Sequence, residues 1–138
     1  MKILVSGLLN METTTAVRGF PINYYPIDYS FFGVNSSPAG VAYNISLALN
    51  ILGDEVRLCS MVGKDFTADY IKSSLEKAGI STDNVKHSLE TTPTSVILYD
   101  PDGKRQIYCD LKDIQDRDYG FDSSMLDGVD IVVACNIN

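Results

Sequence analysis

The stretch from residue 38 to residue 63 constrains the fold of this 138-residue sequence more than any other. Two serines with capping oxygens, Ser36 and Ser37, precede Pro38, which suits the first turn of a helix. Gly53 suits the position just past a helix end. Most residues between Pro38 and Gly53 are apolar, so the pattern predicts a helix that packs on more than one side.

Two residues that interrupt the apolar pattern near the start of this predicted helix bear on function. Gly40 and Asn44 are four positions apart, so they share one helix face near the N-terminus. A glycine lets another group approach the backbone closely, and an asparagine offers that group a donor and an acceptor. The pair therefore predicts a ligand contact. The alternative is an ordinary buried helix with Asn44 satisfied in the core.

The residues around this pair resemble the N-terminal signature of the PfkB carbohydrate kinases, the ribokinase-like sugar and nucleoside kinases. The positions that match are Ala39, Gly40, Ala42, Asn44, Ser46, Gly53 and Gly63. The resemblance implies a ribokinase-like α/β fold, a three-layer sandwich of a parallel central sheet and flanking helices with a small antiparallel β lid. It covers nearly all of this chain but only the N-terminal portion of the family.

Charge and cysteine content disfavour several classes of function. The net charge of −7 leaves no basic surface for nucleic acid or an anionic membrane. The scattered cysteines, Cys59, Cys109 and Cys135, indicate reduced core thiols of a cytoplasmic protein. His87 is the single histidine, which leaves little for a histidine metal site. No apolar run has the length of a membrane span, and the first residues form a strand pattern and not a signal peptide.

Continuous apolar runs predict three parallel strands of one buried sheet. They cover residues 2–7, 55–62 and 129–135. Asp65 is placed to cap a helix over 66–78. The remaining chain between these elements includes a predicted surface loop and a predicted short helix, at 111–120 and 121–126.

Polar residues follow two of these strands at the edge where ligands of open α/β sheets bind. Asn10 and Glu12 come after the first strand, and their spacing points both side chains the same way. Asn136 and Asn138 follow the third strand in the same alternation. These residues predict a binding site at the carboxyl edge of the sheet, although a polar turn explains the first pair equally well.

The PfkB resemblance gives these polar residues a role. The family carries Asn-x-Asp where this sequence has Asn-Met-Glu, and the resemblance implies that these side chains hold sugar hydroxyls. It implies no catalytic residue within this chain. The implied sugar-binding residues are Asn10, Glu12, Gly40, Asn44, Asn136 and Asn138.

Two segments, residues 13–32 and 85–109, have the period-two alternation of half-buried antiparallel strands. Residues 25–31 alternate most clearly, and Pro26 restricts them to an edge position. Asp100 to Lys104 forms a strong hairpin turn signal. The resemblance implies that both segments build a lid over the sugar and a surface for a homodimer. An exposed edge of the truncated sheet is a second surface through which we expect self-association. Plain core packing is the alternative for the aromatic residues at 25–31.

One position of the second lid segment bears on the substrate. Members of the family that act on acidic sugars often carry an arginine where this sequence has Cys109-Asp110. An acidic side chain there would repel a substrate carboxylate. We therefore expect a neutral sugar.

The catalytic parts of a sugar kinase are missing from the sequence. The resembling family places its base in a later Gly-Ala-Gly-Asp segment beside a helix N-terminus, and this sequence has neither that segment nor a Walker-type phosphate loop. We expect a truncated N-terminal part of an enzyme that uses ATP and Mg²⁺, with neither bound by this chain alone. Two alternatives are a nucleoside kinase with an aromatic lid and a non-catalytic sugar-binding or dimerising module.

Overall fold

The computed structural model describes residues 1–135, which build two four-stranded sheets and two helices. In chain order the elements are β1 (Lys2–Ser6), β2 (Asn10–Ala16), β3 (Val34–Ala39), α1 (Val41–Ile51), β4 (Glu55–Val62), α2 (Phe66–Lys77), β5 (Val85–His87), β6 (Thr94–Tyr99), β7 (Arg105–Asp110) and β8 (Ile131–Ala134). Short 3₁₀ turns at Ile114–Asp116 and Ser123–Leu126 lie between β7 and β8.

The central sheet is parallel throughout, in the order β5-β4-β1-β8. The three strands predicted from continuous apolar runs are confirmed as β1, β4 and β8. The fourth strand corrects an expectation, because residues 85–87 were assigned to the lid. Val85 is only 4% exposed and pairs in register with Ser60 of β4, so this short segment completes the core instead.

The second sheet, which we call the lid sheet, has the order β3-β2-β6-β7. Strands β2 and β3 pair antiparallel, as do β6 and β7, but β2 and β6 run parallel. The expectation of a wholly antiparallel lid is therefore wrong at this central pair. Both β2 and β6 leave the same edge of the parallel central sheet, so they point in the same direction. The predicted hairpin is confirmed, since the backbone of Asp100 bonds to Lys104 and Gly103.

Residues 34–39 form an edge strand of the lid sheet where the sequence predicted the start of a helix. Pro38 is tolerated there because one side of an edge strand needs no backbone donor. Helix α1 begins at Val41, and its N-cap is Gly40, which makes no side-chain capping bond. The two serines assigned as caps therefore lie in β3.

Residues 25–31 are not a strand, which corrects the assignment of the first lid segment. They belong to a long loop over 17–33 that folds back on the end of β2. In that loop the hydroxyl of Ser30 donates to the carbonyl of Ala16 at 2.9 Å, and Arg18 pairs with Asp28 at 2.7 Å. The apolar side chains point to solvent, Phe31 and Phe32 being 83% and 99% exposed. A period-two pattern predicts that one face of the segment is buried. Residues 25–31 have no such buried apolar face.

Two apolar layers cover the central sheet. On one side, α1 and α2 pack against the strands, with Ile71 and Leu75 of α2 fully buried. On the other side, residues 111–120 supply Ile114 and Tyr119, 5% and 6% exposed, which pack against Cys59 and other sheet residues. This segment was expected to be a surface loop because most of its residues are polar. Its few apolar residues nevertheless close the second layer.

The cysteines and helices bear on two further expectations. All three cysteines are free. Cys59 is buried and Cys135 is half-buried, but Cys109 is exposed on β7, so the expectation of three core thiols is wrong for that residue. Within residues 1–135 no helix has the length and apolar character needed to cross a membrane.

Two fully buried serines allow a direct test of the core. The hydroxyl of Ser46 on α1 has no partner within residues 1–135, whereas that of Ser60 donates to the carbonyl of Gly7 at 2.6 Å. An unpaired buried hydroxyl costs about 1–3 kcal/mol. We expect Ser46→Ala to raise the free energy of unfolding by up to about 1 kcal/mol, because alanine also favours the helix. Ser60→Ala should lower it by about 1 kcal/mol. Urea unfolding of both variants tests this, and an equal loss in both would contradict it.

Candidate functional site

Asn10 lies where the chain passes from the central sheet into the lid sheet. It is the first residue of β2 and only 4% exposed. Its Nδ2 donates to the Oγ of Ser95 on β6 at 2.7 Å. Its Oδ1 is buried and has no hydrogen-bond partner within residues 1–135. Buried polar atoms are almost always paired, so this atom is a candidate ligand acceptor.

Gly40 lies beside this position because the chain itself approaches it. Its φ is +106°, and a Cβ atom there would stand 2.2 Å from the carbonyl oxygen of Leu8. The same oxygen accepts a bond from the backbone nitrogen of Ala42 at 3.3 Å. The absence of a side chain at Gly40 therefore allows the segment between β1 and β2 to approach the backbone. The sequence had predicted that a ligand makes this approach. This contact fixes the N-terminus of α1 next to Asn10, whose register partner is Ala39.

Asn44 and Glu12 are the other predicted sugar-binding residues that the structure describes. Asn44 is exposed, one turn into α1, and its backbone nitrogen donates to the carbonyl of Gly40 at 3.0 Å. The core interpretation of Asn44 is therefore wrong. Glu12 is half-buried on β2, two residues beyond Asn10 and on the same face of the strand. Asn136 and Asn138, the remaining predicted sugar contacts, lie outside the described residues.

The register of the lid sheet aligns a row of small or polar side chains on this face. Glu12 is paired with Ser37 on β3 and with Ser95 on β6, and Ser95 is paired in turn with Cys109 on β7. Strands lie about 4.8 Å apart, so this polar row spans about 14 Å. Ser37 and Ser95 were missed because strand pairing, and not local sequence, places them beside Glu12. The period-two spacing of Ser95 in its strand was the one available signal.

Asp65 joins helix α2 to the start of β6. Its Oδ1 accepts from the Ala68 nitrogen at 2.9 Å and from the Thr92 hydroxyl at 2.7 Å, and its Oδ2 accepts from the Thr92 nitrogen at 2.7 Å. The predicted cap is thus confirmed, and the helix predicted over 66–78 is observed as Phe66–Lys77. Burial raises the pKa of this carboxyl, but the bonds from Thr92 and Ala68 outweigh burial and leave the pKa below 3.8.

This pKa gives the fold a defined response to acid. A carboxyl whose pKa is lower in the folded chain stabilises it above the ordinary value of 3.8, and that stability is lost as the pH falls through the lowered pKa. We expect Asp65→Asn to reduce the free energy of unfolding at pH 7 by about 1–3 kcal/mol. The variant should also lose less stability than the wild type when the pH is lowered from 6 to about 2–3.

Unfolding by urea across this pH range measures the effect of Asp65. The matched control is Asp69→Asn, which removes an exposed carboxyl from the first turn of the same helix. It should leave both the stability at pH 7 and the acid response nearly unchanged. A wild-type acid response retained in Asp65→Asn would contradict the assignment.

Other candidate sites are few within residues 1–135. No three carboxylate, histidine or cysteine side chains gather there in a way that could hold a metal ion. The Nδ1 of His87 lies 2.6 Å from the carbonyl oxygen of Gly63, so this ring supports the strand ends. A cavity of about 490 Å³ lies under the 17–33 loop, at the opposite end of β2 from Asn10. It contains none of the predicted sugar-binding residues.

Comparison with known proteins identifies the family. The profile described as pfkB family carbohydrate kinase matches residues 1–133. The uncharacterized sugar kinase YeiI of Escherichia coli (strain K12) is 33% identical over 79 residues, which cover 56% of this chain and 21% of that protein.

Solved structures agree with this match. A putative ribokinase from Agrobacterium tumefaciens superimposes with a TM-score of 0.82 at 20% identity, over 96% of this chain and 44% of that chain. A nucleoside kinase of Methanocaldococcus jannaschii gives 0.77 at 21% identity, over 99% and 45%. A ribokinase from Cryptococcus neoformans var. grubii, in complex with ADP, gives 0.63 at 25% identity, over 79% and 33%. This chain thus spans less than half the length of these relatives and has the ribokinase-like α/β fold. The chain belongs to the pfkB family of carbohydrate kinases.

Proposed function

We propose that this chain is the sugar-binding and lid part of an ATP-dependent sugar kinase. The observation that carries the proposal is the buried Oδ1 of Asn10, which has no partner within residues 1–135. A sugar hydroxyl is a donor of the right kind for this acceptor. Glu12 lies next on the same face, and the exposed amide of Asn44 lies one turn into α1. Together they offer acceptors and donors for several neighbouring hydroxyls.

A neutral sugar suits the charges of this surface. Glu12 is the one charged residue of the polar row, and a carboxylate accepts hydroxyl hydrogen bonds but repels an acidic substrate. The expectation of a neutral substrate was based on Asp110, but this residue does not belong to the polar row. It is the register partner of Thr94, on the face opposite to Ser95, and it pairs with Lys112. The proposal for a neutral sugar therefore rests on Glu12 alone.

We propose that the complete enzyme uses ATP and Mg²⁺. Phosphoryl transfer to a sugar hydroxyl needs a base and N–H or cationic stabilisation of the transferred group. Residues 1–135 hold no acidic cluster that fits Mg²⁺, and the sequence has no phosphate-binding loop. We propose that other parts of the complete enzyme supply these groups. The contribution of this chain is to hold and orient the sugar hydroxyls and to cover them with the lid sheet.

Expression of the complete coding sequence tests the proposal. We expect ADP release that depends on a neutral monosaccharide, in a panel that also contains nucleosides and acidic sugars. The 138-residue chain on its own should release no ADP. Turnover by that short chain, or turnover with acidic sugars only, would contradict the proposal. A coding sequence that stops at Asn138 would favour a non-catalytic sugar-binding module.

A nucleoside is the second candidate substrate, favoured by the aromatic side chains of the 17–33 loop. Tyr24 and Tyr29 are 88% and 71% exposed, and Tyr29 stacks on Phe31 with ring centroids 5.8 Å apart. Such rings stack on a base, which would place the nucleoside at the opposite end of β2 from Asn10. The same exposed loop is the surface through which we propose that two copies associate. Preferential turnover of nucleosides in the panel would select this alternative.

A further inference from the structure

Ser95 connects the candidate sugar-binding amide to an exposed thiol. Its side chain is 6% exposed and lies between two partners on neighbouring strands. Its Oγ accepts from Asn10 Nδ2 at 2.7 Å and donates toward Cys109 Sγ at 3.8 Å. A hydroxyl has one hydrogen to donate. We assign that hydrogen to the contact with the sulfur, so that the oxygen of Ser95 accepts from the NH₂ of Asn10.

This arrangement decides which end of the Asn10 amide is free. With its NH₂ held by Ser95, the amide turns Oδ1 away as the unpaired acceptor. We infer that Ser95 is a positioning residue that orients Asn10 toward the sugar, and that Cys109 lies at the ligand-facing end of the polar row. The inference rests on the proposed function, because it names further residues of the same site.

Two independent observations support a site at this place. The unpaired Oδ1 belongs to a side chain that is 4% exposed, so bulk water does not donate a hydrogen bond to this oxygen. The register pairs Ser95 with both Glu12 and Cys109, which puts the thiol and the carboxylate on one face. The row changes from buried at Ser95 to exposed at Cys109, as expected where a ligand enters from solvent.

The opposite face of the lid sheet supplies a matched control. There the hydroxyls of Thr13 and Ser36 bond to each other at 2.8 Å, on the exposed surface. Removing one of them changes a hydroxyl pair in the same sheet without touching Asn10. Ser36→Ala therefore reports the cost of losing a lid hydroxyl alone.

Sugar affinity of the complete gene product tests the role of Ser95. We expect Ser95→Ala to weaken binding of the sugar substrate about tenfold, since the amide loses its orienting partner. Ser95→Thr keeps the hydroxyl and should bind within about threefold of the wild type. Ser36→Ala should bind as the wild type does. A purely structural Ser95 would lower the melting temperature in Ser95→Ala and leave the affinity unchanged, which would overturn the inference.

Two further measurements use readouts other than sugar affinity. The side-chain amide protons of Asn10 should exchange with solvent much more slowly than those of the exposed Asn44, and this protection should disappear in Ser95→Ala. Iodoacetamide, whose iodide is displaced by the thiolate of Cys109, should alkylate that residue more slowly when the sugar substrate is saturating. A sugar that is not a substrate serves as the control.

The outcomes separate the inference from the proposed function. Loss of sugar binding in Asn10→Ala with unchanged binding in Ser95→Ala, or unchanged alkylation of Cys109 by sugar, would overturn the inference and leave the proposed site standing. A complete protein that neither binds nor phosphorylates any sugar would overturn both. Fast exchange of the Asn10 amide in the wild type would overturn the role of Ser95 whatever ligand is bound.

Discussion

Replacement of Asn44 by alanine should weaken sugar binding at least about tenfold while changing the free energy of unfolding by only tenths of a kcal/mol. The reason lies in the position of the side chain. Asn44 is exposed on the first turn of α1, and its fixed backbone bond to Gly40 does not involve the amide side chain. Truncation therefore strands no buried partner in the free protein. It removes one or two hydrogen bonds to a sugar hydroxyl in the complex.

Asn50 on the same helix provides the matched control for this variant. Its Nδ2 donates to the carbonyl of Ala78 at 2.8 Å, in a partly buried contact. Asn50→Ala should therefore lose about 1 kcal/mol of stability and keep its sugar affinity. Calorimetric titration and thermal melting of both variants, in the complete gene product, measure the two quantities. A lower melting temperature with unchanged affinity in Asn44→Ala would contradict the assignment of Asn44 to the site.

Gly40→Ala should be the most destabilising small substitution, reducing the free energy of unfolding by about 2–5 kcal/mol. Two costs add at this position. Its backbone, with φ at +106° and ψ at 153°, lies in a region that is essentially restricted to glycine. The added Cβ would also stand 2.2 Å from the oxygen and 2.9 Å from the carbon of the Leu8 carbonyl, which are backbone atoms and cannot rotate away.

A comparison with Gly53→Ala separates the cost of backbone strain from the cost of the steric clash. Its φ is +92°, also in the left-handed region, but no atom beyond the adjacent residues lies within 4 Å of the position of an added Cβ. Gly53→Ala should therefore reduce the free energy of unfolding by the backbone strain alone, about 1–2 kcal/mol. The difference between the two variants in urea unfolding gives the contribution of the close approach to Leu8. Equal losses in both would show that the α1 N-terminus does not depend on that contact.

Local signals were sufficient for the elements whose causes are local. The apolar run of β4 predicts its bounds at Glu55–Val62, and the Asp65 cap predicts where α2 begins. The turn after Asp100 predicts the β6–β7 hairpin. In each case the residues that specify the element lie within it or directly beside it.

Assignments failed where a distant contact decides the structure. Residues 34–39 carry capping serines and a proline that suit a helix start, yet they pair with β2 because that strand needs a partner at the edge of the lid sheet. The real start of α1 is set by Leu8, about thirty residues earlier, which no local pattern reveals. The alternation over 25–31 also gave a wrong prediction, since the apolar side chains of this segment are exposed to solvent.

The candidate site was predictable in part for the same reason. Asn10, Glu12 and Asn44 were predicted because they follow a strand or share a helix face with Gly40. Ser95 was missed, since only the parallel pairing of β2 with β6 places it against Glu12. The pairing itself could not be read from either strand alone.

A crystal structure of the complete gene product with its sugar substrate tests the central claim most directly. We predict a sugar hydroxyl about 2.6–3.2 Å from Oδ1 of Asn10, with Glu12 and Asn44 bonded to neighbouring hydroxyls. A sugar bound in the cavity under the 17–33 loop, with Oδ1 of Asn10 covered by a protein donor, would contradict the claim.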